Sequence, residues 1–379
     1  MQAYLDNSAT TRPCEAAIAA MTDCMREGFY NPSSVYLPSV EAFRRLRSAR
    51  ERILSTVRGS GCELYFTSGG TEGNNLAVIG AVSRMRGRQL VALSAVEHPS
   101  VQASFEALKA MGHEVRVIGV DESGALDWAA LERALADGAS FVSCMQVNNE
   151  TGALLDAERL HRTVNGRALI HVDGVQGYLR VPFDMKNADL YTISGHKIHG
   201  PKGIGALVVR KGVRLNPRQV GGGQEGGMRS GTENTPGIAG LDAAVAELTA
   251  MGRDMPEGIR RKKRLLIEGI LRAVPEAFIN GPDPENAAPH IVNIGFPNVR
   301  GEVMLHALEG EGIYVSTGSA CSSKKQKVSS VLTAMGIPAA RAEWAIRFSL
   351  SPHTTEEEIN YAAGRIGALY DQLKRFQRR

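Results

Sequence analysis

One lysine in this sequence sits where lysine has little structural reason to be. In ISGHKIHGPKGIGAL (193–207), Lys197 lies between His196 and His199 in glycine-rich chain, directly after the short apolar run LYTIS. It reads as a solvated turn lysine, a phosphate-binding lysine or a lysine whose amine reacts, and solvation is the default because lysines are mostly exposed. Two other stretches bear on the choice. YFTSGGTEGNNLAVIGA (65–81) reads as strand, glycine-rich turn and helix. A helix N-terminus with free N–H groups and a small hydroxyl residue such as Thr71 suits phosphate, although the spacing matches neither a P-loop nor a dinucleotide fingerprint. ALIHVDGVQG (168–177) ends an apolar strand at Asp173, where α/β proteins set ligand-binding groups; capping of the next turn is the plain alternative.

A phosphate cup, a strand-end carboxylate and a lysine in a glycine-flanked turn are together the parts that pyridoxal 5'-phosphate (PLP) requires. The cup anchors the phosphate, Asp173 keeps the pyridine nitrogen protonated, and Lys197 forms the Schiff base. Cys321, in VSTGSACSSKKQKVSS, is flanked by Gly, Ser and Ala and has little apolar packing to justify it. Lys324 and Lys325 favour its thiolate, the nucleophilic form; an incidental surface cysteine is the alternative. Cys144 in SFVSCMQV reads as core. His196 and His199 have no suitable third ligand, so no metal is expected.

Positioning these groups takes a large framework. At 379 residues the chain exceeds what one hydrophobic core usually supports, so two domains are expected. Strands are predicted at CELYFTSG, QLVALSAV, EVRVIGV, SFVSCMQV, ALIHVDG, LYTISG and GALVVRK; several are near-continuous apolar runs, as in a mostly parallel sheet covered on both faces. Helical patterns such as SVEAFRRLRSARERIL and SVQASFEALKAM fall before or between them. After MGRDMPEG the pattern changes to a smaller α+β unit: a long helix, the loop NGPDPENAAPH, strands in HIVNIGF, GIYVS and AIRFSLS, the helix GEVMLHALEG and a C-terminal helix opened by a Thr and three Glu.

Composition excludes several classes. Hydrophobic residues at 43%, charged residues at 22% and a net charge of +4 describe an ordinary soluble protein. The one basic run, Arg260 to Arg264, reads as a solvated helix face rather than a nucleic-acid site. No apolar run reaches the length of a membrane helix, and the opening MQAYLDNSATTRPCEAA does not have the pattern of a secretory signal. Five scattered cysteines without a CxxC pair argue against a disulfide framework and lead us to expect a reducing cytoplasm.

The ordered motifs resemble the cysteine desulfurases, the group that includes the iron–sulfur-assembly enzymes of IscS/NifS type, within the class V aminotransferase family of fold-type I PLP proteins. The resemblance runs along essentially the whole chain: LDNSATT, YNPSS at 30–34, TSGGTEGNN, EHPS, QVNNETG, HVDGVQ, SGHKIHGPKGIG, GGGQEGGMRSGT, TGSACSS and IRFSLS. It implies a three-layer α/β/α large domain (15–255) with a mostly parallel seven-stranded sheet, and a smaller α+β domain (1–14 and 256–379) carrying the cysteine loop. It further implies that His98 stacks on the PLP ring and that Asn149 and Gln176 bond its ring oxygen. Gly70, Thr71, Ser194 and His196 would hold the phosphate, with Thr232 reaching the phosphate of the other subunit of a homodimer. Asn31 and Arg347 would hold the substrate carboxylate, a task suited to the two-pronged guanidinium.

The expected reaction is conversion of L-cysteine to L-alanine, with the sulfur taken by Cys321 as a persulfide and passed to an acceptor protein for iron–sulfur assembly or tRNA thiolation. Lys197 would move the α-proton, with His98 a helper. The rivals are a class V aminotransferase or selenocysteine lyase, a PLP-holding scaffold without turnover, and a thiol redox relay. Transamination needs no mobile thiol, the full set of Lys197, Asp173, Arg347 and Cys321 argues for turnover, and no resolving cysteine lies near Cys321 in sequence. Two departures from the family pattern, Gly70 and Gly174 where alanine is common, remove no functional atom and are expected to leave the chemistry alone.

Overall fold

The seven stretches predicted as strands pair into one sheet in the computed structural model, which describes residues 1–317 and 328–377. Across the sheet the order is Glu63–Thr67, Gly205–Val209, Leu190–Ser194, Leu169–Asp173, Ala139–Met145, Leu90–Ser94 and Glu114–Ile118. Gly205–Val209 runs antiparallel to both its neighbours; the other six strands run the same way. Side chains alternate between two cores, as the two-residue period of a strand dictates. Ala206 and Val208 join the core under the helices Leu37–Thr56 and Thr235–Ala250, whereas Leu207 and Val209 join the one under Gly70–Val82 and Pro99–Ala110. The result is a three-layer α/β/α unit. Cys144 lies in its core, 2% exposed, and burial raises its thiol well above the usual range.

A separate core lies under a three-stranded antiparallel sheet, ordered Ala345–Ser349, Ile291–Gly295, Phe278–Asn280. The last strand is absent from the sequence-based assignment because three residues are too few to show a period. Ile313–Tyr314 does not join this sheet but pairs in parallel with Ala3–Tyr4, and Ala3 and Leu5 are buried in the same core. The C-terminal helix Glu356–Gln377 starts on a reciprocal cap: Thr355 Oγ1 accepts from the Glu358 N–H, and Glu358 Oε2 accepts from the Thr355 N–H. Among the described residues no helix is long and apolar enough to cross a membrane.

The basic run differs from its expected role as a solvated face. Lys263 is buried and donates to the carbonyls of Pro284 and Ala288 at 2.7 and 2.8 Å. Arg260 donates to those of Glu285 and Ala287 at 2.8 and 3.1 Å. The run clamps the loop 281–289 onto the helix Met255–Ala273 because that loop offers carbonyls that its own backbone cannot satisfy.

Gly174 has a packing role that the family pattern conceals. A Cβ there would lie 2.0 Å from Tyr191 Cζ, and one on Gly177 would lie 2.1 Å from Gln146 Oε1. Tyr191 is fully buried, donates its hydroxyl to Gln146 Oε1 at 2.6 Å and stacks on Phe183. The two glycines leave the space that this pair fills. Gly174→Ala is therefore expected to destabilise the apoprotein by about 1–3 kcal/mol through overpacking. The double variant with Tyr191→Leu should lose less than the sum of the single losses, read from denaturant unfolding.

Candidate active site

The glycines around Lys197 allow the chain to double back on itself. After the wholly buried strand Leu190–Ser194, the turn Gly195–Lys197 closes with the Ile198 and Gly200 N–H groups both donating to the Gly195 carbonyl at 3.0 Å. A Cβ on Gly200 would lie 3.0 Å from that same oxygen. His199 adopts φ +62°, unusual for a side chain other than glycine. It is held there by its N–H donating to Thr11 Oγ1 at 2.7 Å and by a bond between its Nδ1 and the Arg12 carbonyl at 2.9 Å. The N-terminal segment 8–12 thus straps the turn. Lys197 Nζ donates to the carbonyls of Ser8 and Ala9 at 2.5 and 2.8 Å, while Arg180 donates to the Lys197 carbonyl. Lys197 is a half-buried, bonded amine, not a solvated one.

Asp173, 3% exposed, ends its strand with both oxygens engaged. Oδ2 accepts from Asn74 Nδ2 at 2.8 Å and Oδ1 from the Val175 N–H at 3.0 Å. Asn74 also donates to Ser100 Oγ at 2.9 Å, and Ser100 Oγ lies 2.8 Å from His98 Nδ1, which accepts the Ser100 N–H. His98 caps the helix Pro99–Ala110 through that nitrogen. Burial pushes its imidazole below the usual range and the Lys197 charge adds to this, while Asp173 opposes it. A neutral ring results. The sequence reading passed over Asn74, whose signal is its place on the helix Gly70–Val82, one turn beyond the cup and on the same face as Gly70 and Thr71.

The cup opens at Gly69, whose φ of +153° suits glycine alone. A Cβ on Gly70 would lie 2.7 Å from Val175 Cγ2, so alanine there would need Val175 to move. His196 faces Thr10 Oγ1 at 3.2 Å and is pushed down to about 4, by burial and then by the cations Lys197, Lys202 and Arg180. Beside the cup, Arg229 pairs with Glu72 at 3.1 Å, and Glu225 accepts from the Phe66 N–H and from Arg50, both at 2.8 Å. These contacts anchor the loop that carries Thr232.

Arg347 comes from the smaller sheet. Its Nη2 pairs with Asp6 Oδ1 at 2.7 Å, its Nη1 donates to the Asn149 carbonyl at 3.0 Å, and its buried Nε has no partner among the described residues. Next to it, burial raises the Glu150 carboxyl above the usual range, and its Oε2 accepts from Ser329 Oγ at 2.5 Å.

A single cavity of about 310 Å3 collects these groups. Gly70, Thr71, His98, Asn149, Asp173, Gln176, Ser194, His196, Lys197 and Arg347 all line it. Asn31 and Thr232 do not: both are exposed, and Asn31 Oδ1 is turned to the Ser33 N–H at 2.9 Å. Cys321, with Lys324 and Lys325, lies outside the described residues. Among the described residues no group of three His, Cys, Asp or Glu could hold a metal ion.

The profile of the family described as aminotransferase class-V matches residues 3–361. The chain belongs to the class V aminotransferase family. A protein named cysteine desulfurase from Nostoc sp. is 40% identical to it over 375 residues, covering 98% of this chain and 93% of that one. The solved structure of a NifS-like protein is 33% identical with a TM-score of 0.91, over 98% of this chain and 100% of its own. Another, SspA in complex with cysteine, is 29% identical with a TM-score of 0.80, over 93% of this chain and 100% of its own.

PLP is the cofactor of this class V aminotransferase, and the cavity's donor set fits it. A helix N-terminus with small residues would take the phosphate, a buried carboxylate the pyridine nitrogen, and an amine the aldehyde. Buried Gln176 Oε1 has no partner among the described residues, although its Nε2 donates to the Ser8 carbonyl at 2.9 Å.

Glu97, at the cavity wall, was not singled out from the sequence. Its Oε1 accepts from Ser94 Oγ–H and the Met145 N–H at 2.8 and 2.7 Å, and its buried Oε2 has no partner among the described residues. Burial, then the Asp173 charge, pushes this carboxyl from its ordinary 4.5 up to about 8. A raised acid pKa stabilises the fold fully below the unfolded value of 4.5, and that contribution is lost as pH rises through 8. Glu97→Gln cannot ionise. Relative to wild type, the apoprotein variant should gain roughly 1–3 kcal/mol between pH 5 and pH 8 in denaturant unfolding; a constant gap would mean that Glu97 is already ionised in the native protein.

Proposed function

We propose that this protein is a cysteine desulfurase that converts L-cysteine to L-alanine and takes the sulfur onto Cys321. The observation that carries this reading is the convergence of Lys197, Asp173, His98 and Arg347 on one cavity of about 310 Å3. The names of the relatives support it, as does the cysteine bound to SspA. PLP, when bound, supplies an electron sink for negative charge at the substrate carbon. This chain's residues do the rest. Asp173 would pair with the pyridine nitrogen, His98 would stack on the ring, Asn149 and Gln176 would bond the ring oxygen, and Gly70, Thr71, Ser194 and His196 would hold the phosphate.

Lys197 takes the α-proton, and neutral His98 serves as a donor or acceptor in later transfers. Arg347 binds the substrate carboxylate from a guanidinium that Asp6 and the Asn149 carbonyl hold in one orientation. The Cys321 thiolate attacks the substrate sulfur, so an S–S bond forms as the C–S bond breaks. The bonding pair stays with carbon, which is protonated to alanine, and Cys321 keeps the sulfur as a persulfide for a scaffold of iron–sulfur assembly or a tRNA-thiolation enzyme.

The site is completed in a homodimer. Phe29, Val35, Leu37 and Val220 are 65%, 95%, 83% and 79% exposed in the single chain, apolar side chains in two segments that call for a cover. Asn31 and Thr232 both lie in these segments, so each reaches a cavity only across the interface. Residues 15–255 form the PLP-binding domain, and 1–14 with 256–379 the smaller one.

Cys321→Ala should keep the cofactor's visible band and its change on adding cysteine, yet lose sulfide release by roughly 10³-fold or more. Near-normal alanine production by this variant would remove Cys321 as the acceptor and favour a different reaction of the same family. Mixed dimers of Lys197→Ala with Thr232→Glu, purified on two tags and assayed at limiting PLP, contain one site with both residues intact. They should recover up to about half of wild-type activity, and no recovery would place Thr232 in its own subunit's site.

A further inference from the structure

Arg180 is a buried cation that the assignments above leave without a function. It is 2% exposed and lies outside the cavity lining. Its Nη2 donates to the Lys197 carbonyl, its Nη1 is buried without a partner, and among the described residues no carboxylate pairs with it. Burial alone shifts its guanidinium, down to about 10, which leaves it charged at neutral pH. An unpaired charge in a protein interior is expensive to hold. Loop anchoring does not require one, because a neutral amide can donate to a carbonyl equally well.

The groups around Arg180 leave its charge unopposed. On the lysine turn, burial holds His196 and His199 near 4 and the Arg180 charge adds to this at both, while at His199 the bond to the Arg12 carbonyl opposes it. His353 packs edge-on against His199, with ring centroids 4.7 Å apart. From the smaller core, fully buried His290 is held well below its ordinary range by burial and by the charges of Arg180 and Lys263. Three uncharged rings therefore surround one fixed positive charge. Lys202 is exposed to water, and Lys263 is occupied by the Pro284 and Ala288 carbonyls. On the cavity side, His98 feels the charges of both Lys197 and Asp173, and Asp173 is already bonded to Asn74 and Val175.

We propose that Arg180 is a positioning residue for Lys197: its guanidinium fixes the backbone of the lysine turn, and its unopposed charge disfavours a proton on the lysine nitrogen. The two effects act on one residue. The lysine is held at its carbonyl by Arg180 and at its amine by the Ser8 and Ala9 carbonyls, so its side chain spans two fixed points. A like charge close by favours the neutral form of an amine, the form that attacks an aldehyde and accepts an α-proton. Arginine suits the position because it keeps its proton when buried and is weakly hydrated. The inference rests on Lys197 being the lysine that links to PLP.

The test uses PLP-loaded full-length protein without substrate. Borohydride reduction and peptide mapping of wild type come first, and a label anywhere other than Lys197 would overturn the lysine assignment itself. With the label at Lys197, Arg180→Gln keeps a donor for the Lys197 carbonyl and removes the charge. The pH midpoint of the visible band should then move up by about one unit, a shift that a merely structural residue would not produce. A midpoint equal to that of wild type in Arg180→Gln overturns the inference and leaves the lysine assignment standing. Arg180→Lys keeps the charge but not the guanidinium geometry, so it decides the matter if Arg180→Gln fails to fold. It should hold the wild-type midpoint while linking to added PLP at least roughly fivefold more slowly from the apoprotein; linkage at the wild-type rate, or a raised midpoint, overturns the inference.

Discussion

The strap that residues 8–12 lay across the lysine turn is the constraint on which the site depends. Thr11 bonds the turn through both its N–H and its hydroxyl, to the His196 carbonyl at 2.8 and 2.9 Å, and receives the His199 N–H. The carbonyls of Ser8 and Ala9 hold the lysine amine, and that of Ser8 also takes Gln176. The same short segment thus fixes the lysine side chain, the left-handed residue after it and the Gln176 amide. Because Ala3 and Leu5 are buried in the second core, the strap also ties that core to the large sheet.

A second layer of constraint is polar and buried. The line from Asp173 through Asn74 and Ser100 to His98 joins three elements at the cavity: the end of one strand, the inner face of the helix Gly70–Val82 and the N-terminus of the helix Pro99–Ala110. Each member satisfies a neighbour's hydrogen-bonding capacity, which makes such a network rigid when complete and costly when broken. Glu97 stands beside it as a carboxyl that burial keeps protonated.

The Arg347 end of the cavity is built at the seam between the two cores. Arg347 belongs to the smaller sheet, yet its guanidinium is oriented by Asp6 from the N-terminal segment and by a carbonyl from the large unit. Glu150 and Ser329 make a similar crossing. A cavity placed at such a seam can recruit a guanidinium for a carboxylate without a loop long enough to bring it from the large sheet itself.

Local pattern was enough to show the seven strands, the helices between them and the candidate cup, aspartate and lysine. A two-residue period, an apolar run or a glycine-rich turn is a property of neighbouring residues, and so is legible in sequence. The resemblance of ordered motifs added the remaining site residues. It could not show that Gly174 makes room for Tyr191, because the two meet only when their strands pair. Nor could it show that the basic run would bury Lys263 in a loop. Asp6 and Arg347 are 341 positions apart, and Arg180 is an unremarkable arginine until folding removes its water. The sequence by itself determined which chemical groups exist and on which elements they ride. Tertiary structure alone decided their partners, their protonation and their orientation, because these depend on desolvation and on contacts between residues that only packing brings together.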